Sequence, residues 1–226
     1  KGMHVVTPNK GPLVLAYREL HNLAAAEGVK LRFDGTVAGG LPAINLGQRD
    51  LRGAQIHGME AVPNLVTGYV MDMLAEGLSW DEALAHAREE GVLEADAGWD
   101  LEGWDAAAKL VIMANAILEY PASLDDVAIT GITELSEEDL QSARDRGYCY
   151  RLLARAERRP DGAYNLSVAP VPLSPEHSLG RLGNKQVGVI FATDIYGTIT
   201  AIIEEPTPIP SSASMLRDLL DIYIEA

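Results

Sequence analysis

The chain has 226 residues, 47% of them hydrophobic, and a formal net charge of -15, enough for one large domain or two small ones around a sizeable core. So acidic a surface argues against nucleic acid or anionic lipid as a partner, because both need a basic face. The single cysteine, Cys149, leaves no intrachain disulfide and no Cys/His spacing suggests structural zinc, a usage that fits a reducing cytoplasm, and no apolar run reaches membrane-spanning length.

The sequence opens at Lys1 and enters "HVV" at once, which suggests missing upstream residues. "MHVVTPNK" reads as a short strand ending in a turn, "LVLAYRELHNLAAAEG" as a helix closed by Gly28, and "VKLRF" as a second strand. Strand, helix, strand is the tail of a parallel α/β unit, whose ligand side lies at the strands' carboxyl ends. Lys10 falls in the loop there. After the glycine-bearing "DGTVAGGLP" come a helix around 42–51, a strand near "GAQIHGMEAV", and helices over 65–76 and 79–90, the latter with a Ser79/Glu82 capping box. "EADAGWDLEGWDAAAK" then crowds Glu94, Asp96, Asp100, Glu102 and Asp105 before a helix from about Asp105 to Glu119 that carries Lys109. Ser136 caps a further helix. "YCYRLLARAER", "AYNLSVAPVPL" and "QVGVIFATDIYGTITAII" have the look of a β-meander, with "DIYGTI" as a turn. Prolines 206, 208 and 210 form a stiff connector, after which Ser211 or Ser212 caps the last helix.

In order along the chain, "VVTPNK", "VAGGLP", Gly91, Glu94, Asp96, Asp100, Gly103, Asp105, Ala106, Ala107 and Lys109 as one spaced motif, and "SASMLRDLL" resemble the homoserine dehydrogenases. The resemblance covers essentially the whole chain, and the long acidic motif is its specific part. It implies an α+β fold, a mixed sheet with helices packed on it, with residues 1–33 as the end of a Rossmann-type nucleotide-binding domain, 34–210 as catalytic and dimerisation domain, and 211–226 as a terminal helix. It also implies NAD(P)-dependent interconversion of homoserine and aspartate semialdehyde, a small amino-acid substrate, and a homodimer formed through the sheet. The family's glycine-rich dinucleotide loop is absent from these 226 residues, so this chain alone is expected to hold the cofactor poorly and to be inactive.

Oxidising a primary alcohol sends a hydride to nicotinamide and a proton to a placed base, a role a lysine fills when desolvation lowers its pKa. The resemblance maps that role onto Lys109 and Lys10. Asp105, four residues before Lys109, shares its helix face and orients it. By the same resemblance, Glu94 and Asp100 would take the substrate's amino end, with Thr67 beside them, and Asn9, Lys10 and His177 would meet the cofactor. It likewise implies that Val37, Gly39 and Leu41 supply carbonyls and Asp34 a side-chain oxygen to a monovalent cation, Na+ or K+.

Blander readings stand beside these. Asp105 and Lys109 make an exposed pair worth about 0.2–0.5 kcal/mol, Lys10 and His177 are surface turn residues, and "DGTVAGGLP" is a glycine turn that permits close backbone packing. A divalent metal is another use of the carboxylates, but Lys109 competes with it. Two stretches depart from the family. Leu65 and Val66 replace a glycine and a threonine beside the substrate, and Glu204 and Glu205 replace small residues near the cofactor. Both point to altered substrate or lost activity. The alternatives are a related oxidoreductase on another small hydroxy or keto substrate, with Leu65 and Val66 lining its pocket, and a non-catalytic binding or oligomerisation module.

Overall fold

The computed structural model describes residues 2–93 and 97–224. Strand β1 (Val5–Val6) leads into helix α1 (Lys10–Ala26), and β2 (Leu31–Arg32) pairs with β1 in parallel, as the α/β reading expects. A 3₁₀ turn over Asp34–Thr36 precedes α2 (Ala43–Asn45), which widens into a π-turn over Leu46–Asp50. Then come β3 (Ile56–Val62), α3 (Leu65–Ala75), α4 (Trp80–Glu89), the short α5 (Gly98–Leu101) and α6 (Trp104–Ala116). The remainder is β4 (Val127–Ile129), α7 (Glu137–Asp145), β5 (Cys149–Arg158), β6 (Tyr164–Leu173), β7 (Gln186–Thr193), β8 (Thr198–Glu204) and α8 (Ile209–Ile224).

The large sheet runs in the order β4-β6-β5-β3-β7-β8 and is antiparallel except for the β4–β6 pair. It is therefore not the simple meander expected. Hairpins β5–β6 and β7–β8 form as read, but β3, made far earlier in the chain, lies between them, with Glu60 opposite both Arg155 and Ile190. Its pattern "IHGMEAV" lets it do so: Met59 and Ala61 face the main core, while Glu60 and Val62 face the opposite side. Helix α8 also differs from expectation. It starts at Ile209, so Ser211 and Ser212 lie in its first turn and do not cap it, while Pro210 occupies a first-turn position where no intrahelical N–H is needed.

Helix α6 is the centre of the main core. Ala106 to Ala108, Leu110 to Ala114 and Ala116 are all buried, and a helix apolar nearly all round belongs inside. It packs between α1 and the sheet, its alanines admitting close neighbours. Gly103 starts it with a left-handed φ of 88°, where a Cβ would press on Ile129 and Val168 at 3.2 and 3.3 Å. The bland picture of a surface helix is thereby overturned. Asp105 and Lys109 are the charged exceptions on a buried rod.

Candidate active site

Three helix starts meet at one end of α6. Asn64 caps α3, its side-chain oxygen accepting from the Val66 and Thr67 amides at 2.8 and 3.4 Å. Its side-chain nitrogen donates to Asp100 Oδ1 at 2.6 Å and Asp105 Oδ2 at 2.7 Å, tying the two carboxylates to one amide. Asp105 Oδ1 is ion-paired with Lys10 Nζ, and its Oδ2 lies 2.8 Å from Lys109 Nζ. Lys109 Nζ also donates to the Pro63 carbonyl at 2.6 Å. Among the described residues, two of the three N–H bonds of the ammonium are thus directed to protein, which leaves one for a ligand oxygen.

The side chain of Asp105 is 6% exposed, that of Lys109 14% and that of Lys10 35%. Burial alone would raise the pKa of Asp105, but the ammonium groups of Lys109 and Lys10 outweigh it and hold the carboxyl well below the ordinary range. Asp100 moves the other way. Burial raises it, the Asn64 hydrogen bond opposes the rise, and the charge of Asp105 adds to it. Two neighbouring carboxyls are therefore pushed apart in acidity, a pattern common at catalytic sites.

Lys10, Asp100, Asp105, Lys109 and Asn64 line one cleft of about 530 Å³ with Gly39, Leu65, Val66, Lys185 and Glu205. Lys10 is not in the loop but is the first residue of α1, whose N-cap is Asn9. Asn9 itself is exposed and accepts from the Gly11 amide with its side-chain oxygen. Glu94 and Asp96 lie outside the described residues.

Thr67 does not line the cleft. It is fully buried within α3, because the turn that aims Leu65 and Val66 outward points the next residue inward. His177 is held elsewhere too: it caps a 3₁₀ turn and meets Glu60 at 2.9 Å on the sheet face opposite the main core, beside the small cluster around Val62, Leu153 and Leu179. Of the cation set, Asp34, Val37 and Leu41 make bonds to protein. Asp34 Oδ1 accepts from the Ile44 and Asn45 amides at 2.8 and 3.1 Å, and its Oδ2 pairs with Arg217. The Val37 carbonyl accepts from Gly39 and that of Leu41 from Ala43. Among the described residues no group of three His, Cys, Asp or Glu is placed to hold a metal ion. The glycine-turn reading of "DGTVAGGLP" holds: a Cβ on Gly40 would stand 2.5 Å from Pro210 Cβ.

Asn64, Glu205 and Arg217 carry more of this end of the molecule than their sequence setting suggests. An asparagine before an apolar helix signals an N-cap, but its second bond reaches 36 and 41 residues along the chain, beyond any local pattern.

The family model for homoserine dehydrogenase matches residues 42–220. A NAD(+)-dependent homoserine dehydrogenase of Pseudomonas canavaninivorans is 34% identical over the whole chain, and a homoserine dehydrogenase of Methanocaldococcus jannaschii is 37% identical over 97% of it. The chain spans 64% of the length of each. Among solved structures, a homoserine dehydrogenase from Thiobacillus denitrificans superposes with a TM-score of 0.92 at 29% identity, over 98% of this chain and 51% of that one. A hyperthermophilic archaeal homoserine dehydrogenase in complex with NADPH gives 0.86 at 27%, over 100% of this chain and 65% of that one. With a family model over most of its length and relatives of this similarity end to end, the chain belongs to the homoserine dehydrogenase family.

Proposed function

We propose that the chain is the catalytic part of an NAD(P)-dependent enzyme that interconverts L-homoserine and L-aspartate 4-semialdehyde. The observation that carries the reading is the Lys10–Asp105–Lys109 cluster in the cleft, built around the buried Asp105 carboxylate. Asp105 sets the position of both ammonium groups, and the Pro63 carbonyl fixes Lys109 from the other side. In the oxidative direction Lys109, once neutral, takes the proton of the substrate hydroxyl; in the reverse direction its ammonium returns that proton to the carbonyl oxygen. Asp100 would receive the substrate's amino group, a role the family motif also gives to Glu94.

Glu205, read from the sequence as a departure from the family, lines the cleft with a carboxylate that would complement the positive charge of an oxidised nicotinamide ring. A nicotinamide held there would supply the hydride acceptor. The cleft opens where β1 ends and α1 begins, the usual ligand side of a parallel α/β unit. Phosphates would be held by the part of the relatives' length that this chain does not span, and residues 1–33 would complete that nucleotide-binding domain. Exposed Met3, Val5, Leu216, Leu220 and Tyr223, on the β1 segment and the α8 helix that contacts it, support a neighbouring domain on that side.

Residues 34–210 would form the catalytic and dimerisation domain of a cytoplasmic homodimer. Among the described residues, the sheet face opposite the main core carries a small apolar cluster around Leu179, which supports pairing through it. No described helix is long and apolar enough to cross a membrane.

Full-length protein is to be assayed for homoserine-dependent NAD(P) reduction. Absence of turnover with homoserine, in folded protein, refutes the substrate assignment. Leu65 and Val66 do line the cleft, so a hydroxy substrate with a more apolar body is the second candidate, and activity on it with none on homoserine would establish that reading.

A further inference from the structure

The turn that walls the cleft is tied down by a residue to which no role has yet been assigned. Asp34, 1% exposed, faces no solvent that could carry a counter-ion. Its Oδ2 is paired with Arg217 Nη2. The same guanidinium donates to the Gly40 carbonyl at 3.3 Å and to Ser214 Oγ at 2.9 Å. Its Nε is buried without a hydrogen-bond partner among the described residues, a cost that a side chain bears when its other contacts dictate its position. Through the preceding peptide unit, the Gly40 amide donates to Glu205 Oε1 at 2.5 Å. Arg217, Gly40 and Glu205 therefore stand in series from α8 to the cleft. Pro210 packs so close to Gly40 that not even a methyl group fits between them.

A bound monovalent cation would do two things for such a turn: neutralise Asp34 and collect carbonyl oxygens. Both tasks are met largely within the chain. The charge is matched by Arg217, both Asp34 oxygens are engaged, the Val37 and Leu41 carbonyls of the cation set accept from protein amides, and Arg217 itself takes the neighbouring Gly40 carbonyl. A planar guanidinium suits this work because it presents several N–H donors in fixed directions at once. We infer that Arg217 is a built-in cation: tethered through α8, it orders the 34–41 turn in place of Na+ or K+ and is a positioning residue for the cleft wall at Gly39 and Gly40. The inference does not depend on which substrate the cleft takes.

The test compares full-length protein in choline chloride, NaCl and KCl at equal ionic strength, reading the thermal midpoint and the steady-state rate. For the natural sequence the midpoint should move by less than about 1 °C between salts, with unchanged rate. Arg217→Met should lower the midpoint by on the order of 5 °C and raise KM more than it lowers kcat. Millimolar guanidinium should restore part of both, and Arg217→Lys should retain most of both. A saturable rise of midpoint or rate with Na+ or K+ in the natural sequence overturns the inference, as does an Arg217→Met protein with unchanged midpoint and KM. If Arg217→Met fails to fold, the salt series on the natural sequence and the Arg217→Lys variant decide the matter.

Discussion

Asp105→Asn is the substitution that separates a working charge cluster from an ornamental one. Asparagine keeps the volume and one acceptor oxygen but removes the charge that two ammonium groups share. A unit pair 4 Å apart is worth about 4 kcal/mol at an effective dielectric of 20, and removing one member of a buried pair costs roughly 3–5 kcal/mol. Lys109, 14% exposed, is in that regime, whereas Lys10, about one-third exposed, is screened and adds no more than about 1 kcal/mol. The hydrogen bond that asparagine retains offsets part of the loss. A net cost of about 3 kcal/mol lowers the thermal midpoint by roughly 6–12 °C for a domain of this size.

The acid limb carries the sign. Because the carboxyl of Asp105 ionises more readily in the folded chain than in the unfolded one, its contribution is fully present above the unfolded value near 3.8. It fades as the pH falls below that value toward the depressed folded one. Asp105→Asn should therefore show its full deficit at pH 7 and converge on the parent as the pH drops below about 4. Thermal melts across pH read this directly. A variant within a degree of the parent at pH 7, or one whose deficit persists unchanged into acid, refutes the electrostatic account.

Other substitutions probe the same design. Lys109→Met should leave the fold intact and cut kcat by about 10²–10⁴, measured by steady-state kinetics beside circular dichroism. Gly40→Ala should cost roughly 1–3 kcal/mol in denaturant melts, because its methyl has to displace Pro210. Val66→Thr restores a hydroxyl at the cleft wall; if homoserine is the substrate, its KM should fall while that of an apolar hydroxy substrate rises. Ser79→Ala should cost about 1 kcal/mol, since its hydroxyl accepts from the Glu82 amide and Glu82 reciprocates on the Ser79 amide.

What could be read before folding was what is local. The Ser79/Glu82 box, the Ser136 cap and the "DIYGTI" turn each depend on residues within a few positions, and each stands where it was expected. The Asp105 and Lys109 pairing is also local, one helical turn apart. Position in the sheet is not. Nothing in "IHGMEAV" reveals that it will separate β5 from β7, and β4, at three residues, is too short to show a period. His177 fails for the same reason: its partner Glu60 lies 117 residues away, and only the closed sheet shows that it faces away from the cleft. Thr67 turns on helix phase alone, since a start fixed by Asn64 points Leu65 and Val66 one way and Thr67 the other. Lys10 shows a milder version, in which the Asn9 cap converts an expected loop residue into a helical one.

Asn64 has a consequence for how this cleft can change its chemistry. Its oxygen fixes where α3 begins and its nitrogen fixes Asp100 and Asp105, so one amide sets both the scaffold and the acidic ligands. The two residues that follow it face the cleft yet take no side-chain part in either bond. They form an exchangeable cassette on an anchored frame: Leu65 and Val66 can be replaced to reshape what the cleft admits while the proton-handling cluster stays in register. Selection could thus retune the substrate in single steps through viable intermediates, whereas any replacement of Asn64 must break two structures at once.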